Sequence, residues 1–230
     1  MAERYNRQIM IPEIGEEGQQ KIRKAKVLLI GVGGLGSPIA TYLTGAGIGK
    51  LGIVDDDVVD ITNLHRQVLY SEEQTGLKKA ECAKQRLQKL NGEVEIEAYP
   101  FRLTAENAEK MIQGYDIVVD GMDNFATRYI VSDVCERQHK PYVYGAIRAM
   151  EGQVAVLCKR ERTYRSIFPD EQEMLQMPHP GKAVVGTTPA VVGSVQACQV
   201  LMLAAEFGSP LIDKLWTINL STMDSMVIDL

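Results

Sequence analysis

Residues 31–36 read Gly-Val-Gly-Gly-Leu-Gly and follow directly on the apolar run Lys26-Val-Leu-Leu-Ile30. A buried strand that runs straight into a glycine turn and then a helix restricts the chain to a narrow class of α/β folds. Gly31 permits the tight turn, Gly33 and Gly34 keep the backbone bare where a phosphate approaches, and Gly36 lets the helix lie close to the sheet. A second apolar run, Leu51-Gly-Ile-Val54, ends in Asp55, nineteen residues after Gly36. An acid at that strand tip is placed to accept ribose hydroxyls, and the helix start offers free N–H groups to an anion. The pattern predicts an adenine-nucleotide site. It does not say which nucleotide, because the adenosine half of a dinucleotide and that of ATP are the same chemical object.

Periodicity extends the reading along the chain. Strands are expected at 26–31, 51–55, 94–99, 115–120 and 141–144, and helices at 34–46, 78–91, 105–113 and 124–138. That alternation implies right-handed crossovers and a parallel sheet with helices on both faces. Residues 3–24 read as a polar helical arm interrupted at Gly15. Beyond Gln153 the pattern changes: a strand at 153–158 has no helix before it and is free to run antiparallel. Residues 159–183 show no period and read as a mobile loop; a helix at about 189–207 and strands at 215–220 and 225–229 follow. The expected architecture is a Rossmann-like doubly wound sheet, mainly parallel, with antiparallel strands toward the C-terminus, in one domain spanning 1–230.

Composition narrows the partners. The 230 residues carry a net charge of −5, which argues mildly against nucleic acid. The first 25 residues are charged and lack a signal-peptide run, and no stretch approaches a clean membrane span; a cytoplasmic protein is expected. Cys82, Cys135, Cys158 and Cys198 form no Cys-x-x-Cys pair and read as reduced thiols, each packed as a small hydrophobe.

Three clusters bear on the chemistry. Asp55-Asp-Asp57 is followed by Asn63-Leu-His-Arg66-Gln67 and by Gly76-Leu-Lys-Lys79 at a helix start. Arg66 and Lys79 are candidates to hold a polyphosphate, the first through a fork and the second as a point charge. Asp120-Gly-Met-Asp123-Asn124 ends the strand Tyr115-Asp-Ile-Val-Val119. Asp123 there is a candidate ligand for Mg²⁺ beside the phosphates, or merely the N-cap of the helix from Asn124. Arg4-Tyr-Asn-Arg7-Gln8 is either an anion clamp or ordinary surface charge. No Ser-His-Asp or His-Glu-x-x-His arrangement supports hydrolysis; His65 lies within the second cluster, His139 precedes a strand, and His179 lies in the polar loop.

Taken in order, these segments, together with Gly145 through Met150-Glu-Gly-Gln153, Gly186-Thr-Thr-Pro189 and Gly193-Ser-Val-Gln-Ala197, resemble the ThiF/MoeB/HesA group of ubiquitin-activating-enzyme-like adenylyltransferases. The resemblance implies ATP- and Mg²⁺-dependent adenylation of the C-terminal glycine of a ubiquitin-like sulfur carrier, in thiamin or molybdopterin synthesis, with pyrophosphate released. It implies that Asp55 holds the ribose, Asn63 and Gln67 line the site, Arg66 and Lys79 bind phosphates, and Asp123 binds Mg²⁺. It further implies a homodimer in which Arg7 reaches the neighbouring subunit's site, and a separate persulfide donor such as a cysteine desulfurase.

The departures from that group matter as much. Thr163-Tyr-Arg-Ser166 stands where the first half of a zinc-binding Cys-x-x-Cys set is common, and 159–182 holds no cysteine where many members carry a reactive one. No zinc and no covalent step are therefore expected; His179 falls near the missing cysteine's place. Three other readings stay open at this point: a tRNA-modifying dehydratase of the same superfamily, an NAD-dependent oxidoreductase, and a non-catalytic nucleotide-binding module.

Overall fold

A computed structural model describes residues 2–158, 162–176 and 183–230. In chain order the elements are α1 (Ala2–Ile9), α2 (Gly15–Ile22), β1 (Lys26–Ile30), α3 (Gly36–Ala46), β2 (Lys50–Val54), α4 (Lys79–Leu90), β3 (Glu95–Tyr99), α5 (Ala105–Gln113), β4 (Ile117–Asp120), α6 (Phe125–Arg137), β5 (Tyr142–Arg148), β6 (Glu151–Leu157), α7 (Tyr164–Ile167), α8 (Glu171–Gln176), α9 (Thr187–Ala205), β7 (Lys214–Asn219) and β8 (Asp224–Asp229).

The eight strands form one sheet in the order β3-β2-β1-β4-β5-β6-β7-β8. The first five run parallel, and β6, β7 and β8 are added antiparallel. This is the expected Rossmann-like architecture. Strand order reverses between β1 and β4, and a doubly wound sheet opens a crevice at the carboxyl ends there. Ile30 lies in register with both Val54 and Asp120, so the loops leaving β1, β2 and β4 emerge side by side.

Alternate residues of the central strands feed two cores, which is why those strands are apolar throughout. Val27, Leu29, Ile53 and Val119 pack with α3, α4 and α9, while Leu28, Ile30, Val54 and Val118 pack with α5 and α6. Helix α9 has the length and apolarity of a membrane span, yet only half of it is buried here, against α3 and the β5–β6 face.

Three local expectations need correction. The N-terminal arm breaks at 10–14 rather than at Gly15, which begins α2 at φ +55. The segment expected to be a structureless loop contains α7 and α8. Tyr164 is fully buried there, stacked edge-on against Tyr129 at 4.9 Å, and Arg165 grips Asp133 and Glu171 at 2.8 Å. Helices this short carry no readable period. His179 lies outside the described residues. Finally, Cys82 and Cys135 are buried as expected and Cys158 is half-buried, but Cys198 is exposed: α3 and the sheet cover only part of the circumference of α9.

The glycine turn is held by backbone contact. Gly31 adopts φ +85, and a Cβ there would lie 2.6 Å from the Gly121 carbonyl oxygen. A Cβ on Gly36 would collide with the Gly31 carbonyl oxygen. Gly36→Ala is therefore expected to destabilise the fold by about 1–3 kcal/mol, because backbone rather than a side chain must move. Urea unfolding checks this; an unchanged midpoint would contradict the packing described.

Candidate functional site

The side chains singled out in the sequence converge on one cleft of about 1700 Å³ over the carboxyl ends of β1, β2 and β4. Gly31, Gly33, Gly34, Asp55, Asp57, Asn63, Arg66, Gln67, Lys79, Asp123 and Asn124 all line it. Gly36 does not; it sits behind the turn, where its role is packing. Arg7 does not either. It is exposed on α1, whose neighbour Tyr5 is buried against Asn91 and Glu93 of the same chain.

The cleft floor is suited to an anion. No side chain among the described residues caps the N-terminus of α3. The Ser37 N–H donates to the Gly33 carbonyl at 2.9 Å and Pro38 has no N–H, so what faces an anion there is the glycine turn and the Gly36 end of the helix dipole. Gly33 and Gly34 leave the backbone bare, and the Tyr70 hydroxyl braces the turn by donating to the Val32 carbonyl at 2.8 Å. Gln67 is buried beside Gly33, and its Oε1 has no donor among the described residues. A buried orphan acceptor is costly unless a ligand satisfies it.

The three consecutive acids divide in function. Asp55 accepts the Val32 N–H at 2.8 Å and the Asp57 N–H at 2.9 Å, which ties the β2 tip to the glycine turn. Burial pushes its carboxyl above the usual aspartate value, against the opposing pull of those N–H groups and Lys79. Asp57 pairs with the buried Lys79 ammonium at 2.9 Å. The carboxylates of Asp55, Asp56 and Asp57 lie within 4.8 Å of one another, but two of them are already engaged in holding backbone or ammonium. Asp123 is different. Asn124, not Asp123, caps α6, accepting the Thr127 N–H at 2.9 Å. That leaves the Asp123 carboxylate exposed at the cleft, with no hydrogen bond or ion pair among the described residues.

Several lining residues had no signal in the sequence. Arg102 follows β3 and Arg148 ends β5, bringing two more cations to the rim. Phe168 and Met174, from the α7–α8 segment, close one side. Arg128 also reaches the cleft lining but is buried against Asp120, and Gln196 of α9 donates to the Asp120 carbonyl at 2.7 Å. The pairing of Asp120 with Arg128 had one readable clue, their separation of eight residues across a strand end and a helix start.

The comparisons with known proteins decide the family. The model described as "ThiF family" matches residues 5–230. The chain belongs to the ThiF family. It is 45% identical over 216 residues to the sulfur carrier protein adenylyltransferase of Thermus thermophilus, covering 91% of this chain and 80% of that protein. It is 39% identical over 214 residues to the SAMP-activating enzyme E1 of Haloferax volcanii, covering 93% of this chain and 79% of that one. It is 44% identical over 202 residues to the adenylyltransferase and sulfurtransferase MOCS3 of Anopheles gambiae, covering 87% of this chain but only 46% of that protein's length. The fold also matches the crystal structure of E. coli MccB with ATP, at a TM-score of 0.85 and 24% identity, over 98% of this chain and 71% of that one. At that identity the likeness concerns architecture alone. This ThiF-family chain is an adenylyltransferase.

Proposed function

We propose that this chain adenylates the C-terminal glycine of a ubiquitin-like sulfur-carrier protein, using ATP and Mg²⁺ and releasing pyrophosphate. The single observation that carries the reading is the cleft itself. A helix start without a side-chain cap, a bare glycine turn, Arg66 and Lys79, and an Asp123 with no partner among the described residues meet over one switch point. In this reading the adenosine lies along the Gly31–Gly34 turn with its ribose on Asp55, beside Asn63 and Gln67. Arg66 and Lys79 hold the phosphates, Lys79 exchanging its bond to Asp57 for a phosphate oxygen.

The donor set suits a hard divalent cation, which takes one or two carboxylates together with phosphate oxygens. Asp123 would hold it and Asn124 would flank it. When bound, such an ion neutralises charge on the phosphates. The attacking group is the carrier's terminal carboxylate, which is ionised at neutral pH and needs no general base. Its oxygen bonds to the α-phosphorus as the bond to the bridging oxygen breaks, and the electron pair leaves with pyrophosphate. Positioning and charge neutralisation supply the catalysis.

Within this reading the chain acts in the cytoplasm as a two-fold homodimer, with a persulfide donor such as a cysteine desulfurase as a separate partner and with no role for nucleic acid or membrane. This reading covers thiamin and molybdopterin carriers alike. A tRNA-modifying dehydratase would adenylate without a carrier protein. An NAD-dependent oxidoreductase would leave Arg66, Lys79 and Asp123 without work, and a binding module would show no exchange. Carrier-dependent exchange of labelled pyrophosphate into ATP separates all of them.

Two further outcomes are expected. The protein should hold no zinc, and elemental analysis returning about one zinc per chain would contradict this. Activation should stop at the acyl adenylate. Burial pushes the thiols of Cys82 and Cys135 up, and desolvation does the same for Cys198. None of the three lines the cleft, and a scarce thiolate outside the cleft is a poor nucleophile. After incubation with carrier and Mg-ATP, non-reducing electrophoresis and mass spectrometry should show no thiol-sensitive adduct. An adduct lost on Cys198→Ser would overturn this part of the reading.

A further inference from the structure

The segment Gly121–Asn124 is pinned on both sides of Asp123. Upstream, the Gly121 N–H donates to the Ile30 carbonyl at 2.8 Å, and a Cβ on Gly121 would strike the Gly31 carbonyl oxygen. Next comes Met122, held at both backbone groups. Its N–H donates to Asp120 Oδ1 at 2.8 Å, and its carbonyl accepts from the Arg128 guanidinium at 2.7 Å. Downstream, Asn124 is fixed as the cap of α6. Only the Asp123 side chain is left to project.

One fork organises this arrangement. Arg128 Nε donates to Asp120 Oδ2 at 2.9 Å, while its terminal nitrogen reaches both the Met122 carbonyl and, at 3.0 Å, the Gly145 carbonyl of β5. The Tyr142 hydroxyl donates to the same Asp120 oxygen at 2.9 Å, and the Tyr144 ring lies under the guanidinium at 5.4 Å. A buried ion pair with this many partners is weak evidence for stability but strong geometric definition.

We propose that Arg128 is a positioning residue for Asp123: its guanidinium, set by Asp120 and Tyr142, fixes Met122 and thereby the place at which the Asp123 carboxylate meets a divalent cation. The proposal rests on the reading of Asp123 as the cation ligand. Lysine at position 128 keeps the charge but cannot span Asp120, Met122 and Gly145 at once.

The test measures free Mn²⁺ by electron paramagnetic resonance while it is titrated into the full chain saturated with a non-hydrolysable ATP analogue. Metal-free binding of the same analogue and a thermal melt are recorded alongside. Asp123→Ala should weaken Mn²⁺ binding at least tenfold; if it binds as the native chain does, the Asp123 reading fails and the proposal falls with it. With that control in place, Arg128→Lys should weaken Mn²⁺ binding about fivefold or more while metal-free nucleotide affinity stays within twofold. Tyr142→Phe should weaken Mn²⁺ binding two- to threefold, and it carries the test by itself if Arg128→Lys does not fold. Native Mn²⁺ affinity in the folded variants would overturn the proposal. So would an equal loss of metal-free nucleotide binding, because a general distortion of the cleft predicts that result.

Discussion

Asp123→Ala is expected to reduce carrier-dependent pyrophosphate exchange by at least a hundredfold while leaving the fold and metal-free nucleotide binding intact. The size follows from what the side chain does and does not touch. It is exposed and has no hydrogen bond or ion pair among the described residues, so its removal breaks no such bond and leaves no buried polar partner orphaned. Losing a ligand to a cation that neutralises transferring phosphates should cost about 3 kcal/mol or more of transition-state stabilisation, and each 1.4 kcal/mol is tenfold in rate. Asp123→Asn keeps the size but not the charge and should fall between the two. Full exchange activity in Asp123→Ala would remove the residue from the chemistry.

The second large effect concerns Arg7. It is exposed on α1 and does not line its own chain's cleft, although α1 is anchored by Tyr5 and by Gln8, which donates to Gln19 at 2.6 Å. In the proposed two-fold dimer, each cleft borrows Arg7 from the other subunit. Arg7→Ala should then cost about two orders of magnitude in exchange, comparable to loss of a charge clamp on a transferring phosphate. Mixed dimers of Arg7→Ala subunits with Asp123→Ala subunits should regain activity. One of their two clefts has an intact Asp123 and an intact borrowed arginine; the other is doubly damaged. No rescue in mixed dimers shown to form would place the loss elsewhere. A monomer by light scattering would do the same.

The glycine turn and the Asp55 tip were legible because a local backbone requirement wrote them. Only glycine tolerates φ +85 at Gly31, and only glycine leaves room at Gly36. The central strands were equally legible, since burial on both faces makes them apolar throughout. What stayed hidden depends on distant parts meeting. The Asp120–Arg128 pair requires Tyr142 and Gly145 from β5 to complete its shell, and Gln196 arrives from α9. Cap choice at α6 was ambiguous because Asp123 and Asn124 are both good caps; the backbone selected Asn124 and left Asp123 exposed at the cleft. Helices α7 and α8 span four and six residues, too few to display a period, and their order comes from Tyr164 and Arg165 contacts with α6. Cys198 was misread because an apolar helix does not announce which strip of its surface its neighbours leave bare.

Exchange of labelled pyrophosphate into ATP, run with Mg²⁺ and with or without a ubiquitin-like sulfur carrier ending in glycine, tests the central claim most directly. The account predicts exchange that requires the carrier, and its loss when the carrier's terminal glycine is removed. Exchange that is absent with every such carrier, or that proceeds equally well without one, would contradict it.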